Sequence, residues 1–351
     1  MTRFRPALLP TAVVLVHVVV INCLPVGDEF GIRYRTNEEL ENFLIRMANQ
    51  HPDKVYTFSI GKSVEGNNIM AVAVAASDPH MHVTLRPNVL FTANIHGNEV
   101  VGREILLHLL SHLLTAYGEN KLITELMDST RLVMIPSMNP DGFNAAAEGD
   151  CFSVRGRSNK HGVDLNRNYP NIWRPIRVQH EPETIAFINW VKTVPTVLSM
   201  DFHDDSRDFY SAAPDDDVFR NIALQYSKCS ETMASMVNTW CPPDPEIFKD
   251  GITNGADWYG IEGIKGVVRK KETNDPVVAK MKIVGREIAF FSDSNGEFYR
   301  ILLPGKYRLI AEVAEYAPAL VDFEITPEAP YLTLNITVSK EKTSSSATFY
   351  T

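Results

Sequence analysis

The sequence predicts an α/β protein with a mixed sheet flanked by helices, followed by a small all-β sandwich. Strand and helix patterns alternate over the first two thirds of the chain, which is typical of a layered α/β sheet. From Ile264 onward, short β-rich runs are separated by turn signals such as Pro304-Gly305, which is typical of a sandwich. The 351 residues leave room for about two domains, and 44% hydrophobic and 22% charged residues are ordinary for a globular protein.

The chain begins with a segment that we interpret as a signal peptide, residues 1–24. Arg3 and Arg5 provide a positive start, and Ala12 to Ile21 form an apolar stretch of about ten residues, too short to span a bilayer but typical of a signal-peptide core. A buried N-terminal strand and a retained signal anchor are the alternatives. We therefore expect a secreted, extracellular protein without a membrane span in the mature chain.

The cysteine content and the net charge bear on disulfide pairing and on the expected partners of the chain. The chain has four cysteines. Removal of Cys23 with the signal peptide leaves an odd number, of which Cys229 and Cys241 are the pair that we predict from proximity in sequence. Asn335-Ile336-Thr337 is a sequon, so Asn335 is a predicted glycosylation site. The net charge of −9 and the lack of a Lys/Arg run exclude nucleic acid as the expected partner.

The local patterns predict the elements in order. Thr36 and Glu39 form a capping box that begins a helix through Asn49, and Pro182 begins a helix through Val191. The other predicted elements are a hairpin of strands 56–60 and 70–75, a strand 89–93, a helix 100–114, an apolar run 131–136 ending in a turn 139–142, a loop 151–170, a strand 196–202 and a helix 215–238.

The segment His96-Gly97-Asn98-Glu99 lies between a predicted strand and a predicted helix. This position predicts that His96 falls where the strand ends and that Glu99 lies in the first helical turn. Residues three apart can share a helix face, so His96 and Glu99 can supply two ligands to one zinc ion. A catalytic zinc site needs three protein ligands, and His203, at the end of another strand, is the predicted third. Taken alone, each pattern also fits ordinary surface or buried polar residues. Together they predict one zinc ion per chain.

Two other patterns bear on this site. His108 and His112 are a competing pair, but the Glu that follows the first His in a metalloprotease helix is absent, so we interpret both as helix-surface histidines. Arg157 and the segment Gly162 to Asn168 place guanidinium groups in loops, where arginine can bind a carboxylate with two hydrogen bonds. The alternative interpretation is that these are ordinary arginines of surface loops.

With these residues, the chain resembles the secreted zinc metallocarboxypeptidases, in particular the N/E branch with carboxypeptidase D-like domains. The resemblance covers residues 32–339, with a zinc carboxypeptidase-like domain at 32–262, a transthyretin-like sandwich at 263–339 and a polar tail at 340–351. The motifs that carry it are His96 to Glu99, Pro136 to Phe143, Gly162 to Asn168, Glu181 to Thr184, Pro214 to Phe219, Gly251 to Ala256, Gly263 to Val268, Gly296 to Arg300 and Leu303 to Tyr307.

The resemblance implies a function. His96, Glu99 and His203 would bind zinc, Arg157 would polarise the scissile carbonyl, and Asn166 with Arg167 would hold the terminal carboxylate of a peptide or protein. A cation that must pair with a terminal carboxylate rejects internal peptide bonds. The expected reaction is release of C-terminal residues, with Lys or Arg as the family preference.

The chain departs from the family pattern after Tyr259, which runs almost directly into the sandwich at Ile264. The strand that carries the family's general-base glutamate, an interior strand of its sheet, has no counterpart. Glu262, Glu272 and the segment Phe323 to Thr326 have no supporting motif, so no general base is identified. Two hypotheses remain open: an active carboxypeptidase, and a zinc-binding pseudoenzyme that binds peptide C-termini without hydrolysis.

Overall fold

The computed structural model describes residues 33–150, 153–170, 179–203, 264–286, 289–326, 332–340 and, as backbone only, 348–350. These residues fall into two units, 33–203 and 264–350. The predicted signal peptide, the four cysteines and the predicted helix 215–238 lie outside the described residues.

The first unit contains a mixed sheet and five α-helices. The strands are β1 (Val55–Lys62), β2 (Asn68–Val74), β3 (Asn88–Ala93), β4 (Arg131–Ile135) and β5 (Thr196–Phe202). The helices are α1 (Asn37–Gln50), α2 (Val101–Ala116), α3 (Lys121–Ser129), α4 (Pro140–Ala145) and α5 (Pro182–Val191). The strand order is β1-β2-β4-β3-β5. β2 pairs antiparallel with β1 and β4, whereas β3 pairs parallel with β4 and β5. The predicted mixed α/β sheet is confirmed.

Both faces of this sheet are covered. On one face, Leu90 of β3 belongs to an apolar cluster that includes Phe187 of α5. On the other face, Phe91 contacts the ring of Phe202, with 6.2 Å between centroids. Gly102 of α2 lies so close to β5 that a Cβ there would be 2.5 Å from the Cβ of Phe202. Helix α2 therefore packs directly on β3 and β5, the two strands that end at the candidate site.

The capping box at the start of α1 is present as predicted. The Oγ1 of Thr36 accepts a hydrogen bond from the backbone N–H of Glu39, and the Glu39 carboxylate accepts one from the backbone N–H of Thr36. Each bond satisfies an N–H that has no partner within the helix. The apolar side of the helix buries Leu40, Phe43 and Leu44.

The segment Asn139-Pro140-Asp141-Gly142, predicted as a turn, begins the short helix α4 instead. Asn139 is its N-cap, and its Oδ1 accepts a hydrogen bond from the backbone N–H of Gly142 at 2.9 Å. Asparagine at an N-cap followed by proline in the first turn favours a helix start as readily as a turn. The turn prediction was wrong for that reason.

The second unit contains two four-stranded sheets that share one apolar core. Its strands are β6 (Ile264–Lys270), β7 (Lys280–Ile283), β8 (Phe290–Phe291), β9 (Glu297–Arg300), β10 (Gly305–Glu312), β11 (Ala319–Ile325), β12 (Leu332–Val338) and β13 (Thr348–Tyr350). The sheet orders are β11-β10-β7-β8 and β13-β12-β6-β9. Val268 and Ile336 from one sheet and Met281 and Leu309 from the other lie in the same buried cluster. This arrangement matches the predicted all-β part of the chain.

Strand β13 lies within residues 340–351, which the sequence predicts to be a polar tail. It pairs antiparallel with β12, where Asn335 is the register partner of Thr348. Asn335 is exposed on β12. The predicted glycan acceptor is therefore accessible in the folded unit.

Among the described residues, no helix combines the length and the apolar character that crossing a bilayer requires.

Candidate metal centre

The candidate site begins at the carboxyl end of β3, where Asn94 adopts a left-handed conformation with φ 60°. Its buried side-chain amide donates to the backbone carbonyls of His96 and Gly97 at 3.0 Å and of Glu99 at 2.9 Å. The Oδ1 of Asn94 accepts a hydrogen bond from the Oγ of Ser137 at 2.8 Å. One side chain thus sets the path of the whole loop that carries the first two predicted ligands.

Glu99 does not lie in the first turn of the following helix, as its spacing from His96 suggested. Helix α2 begins at Val101, and Glu99 belongs to the loop held by Asn94. The backbone N–H of Glu99 donates to the carbonyl of His96 at 3.0 Å. The two side chains converge because the loop is tightly turned, and not because they share a helix face.

The structure brings His96, Glu99 and His203 together. The Nδ1 of His96 lies 2.6 Å from Oε1 of Glu99, and the Nδ1 of His203 lies 2.8 Å from Oε2. His203 directly follows β5, the strand beside β3, so both imidazoles arrive at the same sheet edge. The three ligand atoms lie within 4.8 Å of one another, in a cluster able to hold a metal ion. Two imidazole nitrogens and one carboxylate match the donor set of catalytic zinc sites.

The electrostatics of this cluster favour a cation. Burial opposes ionisation of Glu99, but hydrogen bonds from His203 and His96 outweigh it and lower the Glu99 pKa to about 2. Burial likewise opposes protonation of His203, but Asp201 and Glu99 raise its pKa to about 11. Glu99 is therefore ionised, and its buried negative charge favours a bound cation.

Arg157 and Asp164 form the next part of the site. The guanidinium of Arg157 binds Oδ2 of Asp164 through Nε at 3.2 Å and through a terminal nitrogen at 3.1 Å. Its other terminal nitrogen lies 3.6 Å from Oε1 of Glu99. The second oxygen of Asp164 lies 3.1 Å from Nε2 of His96. A carboxylate on the outer nitrogen of a histidine ligand fixes its tautomer and orientation.

Backbone contacts between three loops set the position of Arg157. A Cβ on Gly97 would lie 2.2 Å from the backbone of Gly142 and Phe143. Gly156, with φ 86°, also lies close to Gly142, and a Cβ on it would approach the carbonyl oxygen of Gly142 to 2.6 Å. Only residues without a side chain allow this approach. The metal-ligand loop, the start of α4 and the Arg157 loop are therefore in direct backbone contact.

Asn139 also connects these loops. Its side-chain amide is fully buried and donates to the carbonyl of Ile95 at 3.3 Å and to that of Arg157 at 3.2 Å. The residue therefore caps α4 and fixes the distance between the metal-ligand loop and Arg157. The sequence Asn139-Pro140-Asp141-Gly142 is a turn signal, and no local pattern predicts this second role of Asn139.

The predicted carboxylate-binding residues follow Asp164 in a short 3₁₀ helix, Leu165–Arg167. The backbone N–H of Asn166 donates to Oδ1 of Asp164 at 2.9 Å, the same oxygen that faces His96. The side chain of Arg167 is exposed. Asn166 is thus tied to the cluster through its backbone, and a terminal nitrogen of Arg167 donates to the carbonyl of Asn166 at 3.4 Å.

Asp164 and Asp201 are site residues that no sequence motif predicted. Asp164 lies inside the quoted segment Gly162 to Asn168, but its contact with His96 depends on the tertiary fold. Asp201 could have been found, because it lies two residues before His203 and alternate residues of a strand share a face.

The other predicted alternatives lie elsewhere. Glu272 and Glu324 are exposed residues of the second unit, and Glu262 lies outside the described residues. His108 and His112 are half-buried on α2 and do not belong to the metal-binding cluster.

Comparison with known protein families shows the family to which the chain belongs. Residues 40–291 match the family model described as zinc carboxypeptidase, which covers more than half of the chain. The chain belongs to the zinc carboxypeptidase family. Its centre of two histidines and one glutamate is consistent with the metal that the family name implies.

Among individual proteins, the chain is similar to carboxypeptidase D of Mus musculus, with 42% identity over 238 residues, 64% of this chain and 17% of that protein. It is 32% identical to carboxypeptidase D of Homo sapiens over 372 residues, covering 88% of this chain and 27% of the relative. The chain therefore spans between 17% and 27% of the length of these relatives.

A shorter relative and a solved structure complete the comparison. The catalytic chain of carboxypeptidase N from Mus musculus is 29% identical over 394 residues, 85% of this chain and 84% of that protein. The crystal structure of thrombin activatable fibrinolysis inhibitor is 18% identical with a TM-score of 0.47, covering 63% of this chain and 61% of that one.

Proposed function

We propose that this chain is a secreted zinc metallocarboxypeptidase that releases the C-terminal residue of peptides or proteins, with zinc bound by His96, Glu99 and His203. The observation that carries the proposal is the convergence of both Nδ1 atoms on the two oxygens of Glu99, at 2.6 and 2.8 Å. When bound there, zinc supplies Lewis-acid activation of water and of a peptide carbonyl.

Arg157 would stabilise charge on the carbonyl oxygen. Its guanidinium lies 3.6 Å from Glu99 and is held in place by Asp164, so it presents a fixed positive charge beside the metal ligands. Preorganised donors aimed at developing negative charge lower the barrier without reorganising during the reaction. In this role Arg157 contacts the substrate while Asp164 orients it.

Asn166 and Arg167 would select the end of the peptide. Arg167 is exposed and carries a planar fork of donors that matches a carboxylate. Its pairing with a free α-carboxylate would place the last peptide bond, and no internal one, next to the metal centre. A preference for Lys or Arg as the released residue follows from the family resemblance.

A pseudoenzyme is the second candidate, favoured by one observation on the sequence. No glutamate with a supporting motif occupies the family's general-base position between Tyr259 and Ile264. Loss of general acid–base help typically costs about 10²–10⁴-fold in rate. The same ligands and arginines would then bind peptide C-termini without cleaving them.

The metal assignment is tested by the zinc content of the purified protein. We expect one zinc per chain in the wild type and in His108→Ala, a control that removes a histidine of α2, and loss of zinc in His96→Ala. A wild-type protein without stoichiometric zinc, or a His96→Ala variant with unchanged zinc, contradicts the assignment.

The substrate assignment is tested with a peptide that ends in Lys or Arg and with its C-terminal amide. Arg167→Ala should weaken binding of the free acid by at least tenfold, whereas Arg155→Ala, an exposed arginine of a neighbouring loop, should not. Release of the last residue supports the carboxypeptidase, and binding without release supports the pseudoenzyme. Equal binding of acid and amide contradicts both.

Secretion is tested separately by expressing the full chain in animal cells. We expect loss of residues 1–24 and a glycosidase-sensitive shift in mass that disappears in Asn335→Gln. Retention of the N-terminal segment in the purified protein contradicts the signal-peptide assignment.

A further inference from the structure

Asp201 contacts the outer nitrogen of the third predicted metal ligand. Its Oδ2 lies 3.1 Å from Nε2 of His203, on the side of the ring opposite Glu99. Asp201 and His203 are two residues apart at the end of β5, so they share one face of the strand. Only 13% and 14% of their side-chain surfaces are exposed.

Asp201 is itself held from the neighbouring strand. The Oγ1 of Thr92 donates a hydrogen bond to Oδ1 of Asp201 at 2.7 Å. Thr92 and Asp201 are direct partners in the parallel register of β3 and β5. The carboxylate therefore has one oxygen fixed by the sheet and the other directed at His203.

Asp201 contacts Nε2 of His203 in the same way that Asp164 contacts Nε2 of His96. Each histidine directs Nδ1 at Glu99 and meets a carboxylate with Nε2. A carboxylate at Nε2 keeps the proton on that nitrogen, which leaves the lone pair of Nδ1 available to a metal. It also prevents the ring from rotating and increases its basicity.

We propose that Asp201 is a positioning residue that holds His203 in its metal-binding tautomer and orientation, and that Thr92 holds Asp201 in turn. The inference rests on the proposed zinc site. Asp201 does not contact the substrate in this role. It acts through His203, and its loss should therefore appear in metal binding before it appears in catalysis.

The alternative is that Asp201 only joins β3 to β5. Ser199 provides the matched control for this reading. It lies two residues earlier on the same face of β5, is 8% exposed, and its Oγ has no hydrogen-bond partner among the described residues. Ser199→Ala changes a buried polar group of the strand without touching His203.

The experiment measures the zinc dissociation constant of the full-length protein by competition with a chelator, at one pH near neutrality. Asp201→Asn, which keeps the shape but removes the charge, should weaken zinc binding by about 10- to 100-fold, the usual effect of losing such a partner. Asp164→Asn should show a loss of similar size, and Ser199→Ala none. Thr92→Val should show a smaller loss than Asp201→Asn.

A second readout separates positioning from folding. The visible absorption spectrum of the cobalt-substituted protein reports ligand geometry, and we expect it to change in Asp201→Asn but not in Ser199→Ala. Circular dichroism of the metal-free variants should be unchanged. If Asp201→Asn binds zinc as tightly as the wild type, or if Ser199→Ala loses affinity equally, the inference is wrong. If the wild type itself binds no zinc, the proposed function fails instead.

Discussion

The side-chain amide of Asn94 donates a hydrogen bond to the backbone carbonyl of Glu99 at 2.9 Å. The same amide also donates to the carbonyls of His96 and Gly97. The backbone of Asn94 is left-handed, with φ 60°. Asn94 therefore combines a backbone conformation that few residues adopt with a side chain that the loop requires. Substitutions at this position can separate the two contributions.

Asn94→Gly should keep the left-handed backbone and lose the amide contacts, while Asn94→Ala should lose both. We expect Asn94→Ala to lower the free energy of unfolding by about 1–2 kcal/mol more than Asn94→Gly, because of the Cβ strain at this φ. Both should bind zinc more weakly than the wild type. Urea unfolding and zinc titration measure the two effects, and equal stability of the two variants would contradict the assignment of strain.

Gly97→Ala should disrupt the site by steric overlap alone. The added Cβ would lie 2.2 Å from backbone atoms that cannot move independently, so we expect a loss of stability of about 3 kcal/mol or more. Gly66→Ala is the matched control, because Gly66 has φ 83° but nothing within 4 Å of the added Cβ. It should cost only about 1–2 kcal/mol, the strain of a Cβ at this φ. Thermal unfolding of both variants measures the difference in stability. A Gly97→Ala protein as stable as Gly66→Ala would show that the loops are not in contact.

Arg103 should not tolerate replacement by lysine. Its guanidinium is fully buried 3.8 Å from the ring centroid of Phe143, and it donates to Oδ1 of Asn37 at 2.8 Å and to the carbonyl of Arg35 at 2.9 Å. A lysine ammonium lacks the planar fork that makes these contacts together. We expect Arg103→Lys to lose about 1–3 kcal/mol of stability in urea unfolding. Arg46→Lys, at an exposed position of α1, should change stability by less than about 0.5 kcal/mol, and an equal effect at both positions would refute this account.

Stability should fall in mild acid partly through His112. Burial lowers the pKa of His112, and its Nε2 is buried without a hydrogen-bond partner among the described residues. A histidine with a depressed pKa in the folded state binds a proton more readily when unfolded, so the free energy of unfolding decreases as pH falls below about 6.5. His112→Leu should reduce this decrease.

The comparison is urea unfolding of the zinc-loaded proteins near neutral pH and at about pH 5.5. His51→Leu, in which the histidine that follows α1 is replaced, controls for the loss of one histidine. The same acid sensitivity in wild type and His112→Leu would rule out this contribution.

The arrangement of His96 and His203 could be predicted from the sequence because it depends on local patterns. Each histidine directly follows or closely follows an apolar strand, and the carboxyl ends of neighbouring parallel strands meet at one sheet edge. The capping box of α1 and the hairpin of β1 and β2 were predictable for the same reason, since their signals lie within a few residues.

The remaining contacts of the site depend on the tertiary fold. Asp164 reaches His96 across 68 positions of sequence, and Asn139 joins Ile95 to Arg157 through single hydrogen bonds. Nothing in composition or periodicity specifies such pairs. The turn predicted at the start of α4 is a helix cap instead, because asparagine followed by proline is compatible with both.

The close approach of Gly97, Gly142 and Gly156 has a consequence for protein engineering. Since the three segments touch through main-chain atoms, no side chain between them can be enlarged or trimmed to absorb a change in one of them. Attempts to alter the specificity of this chain by grafting loops from relatives should therefore exchange all three segments as a set. Grafts of a single segment should yield proteins that fold poorly.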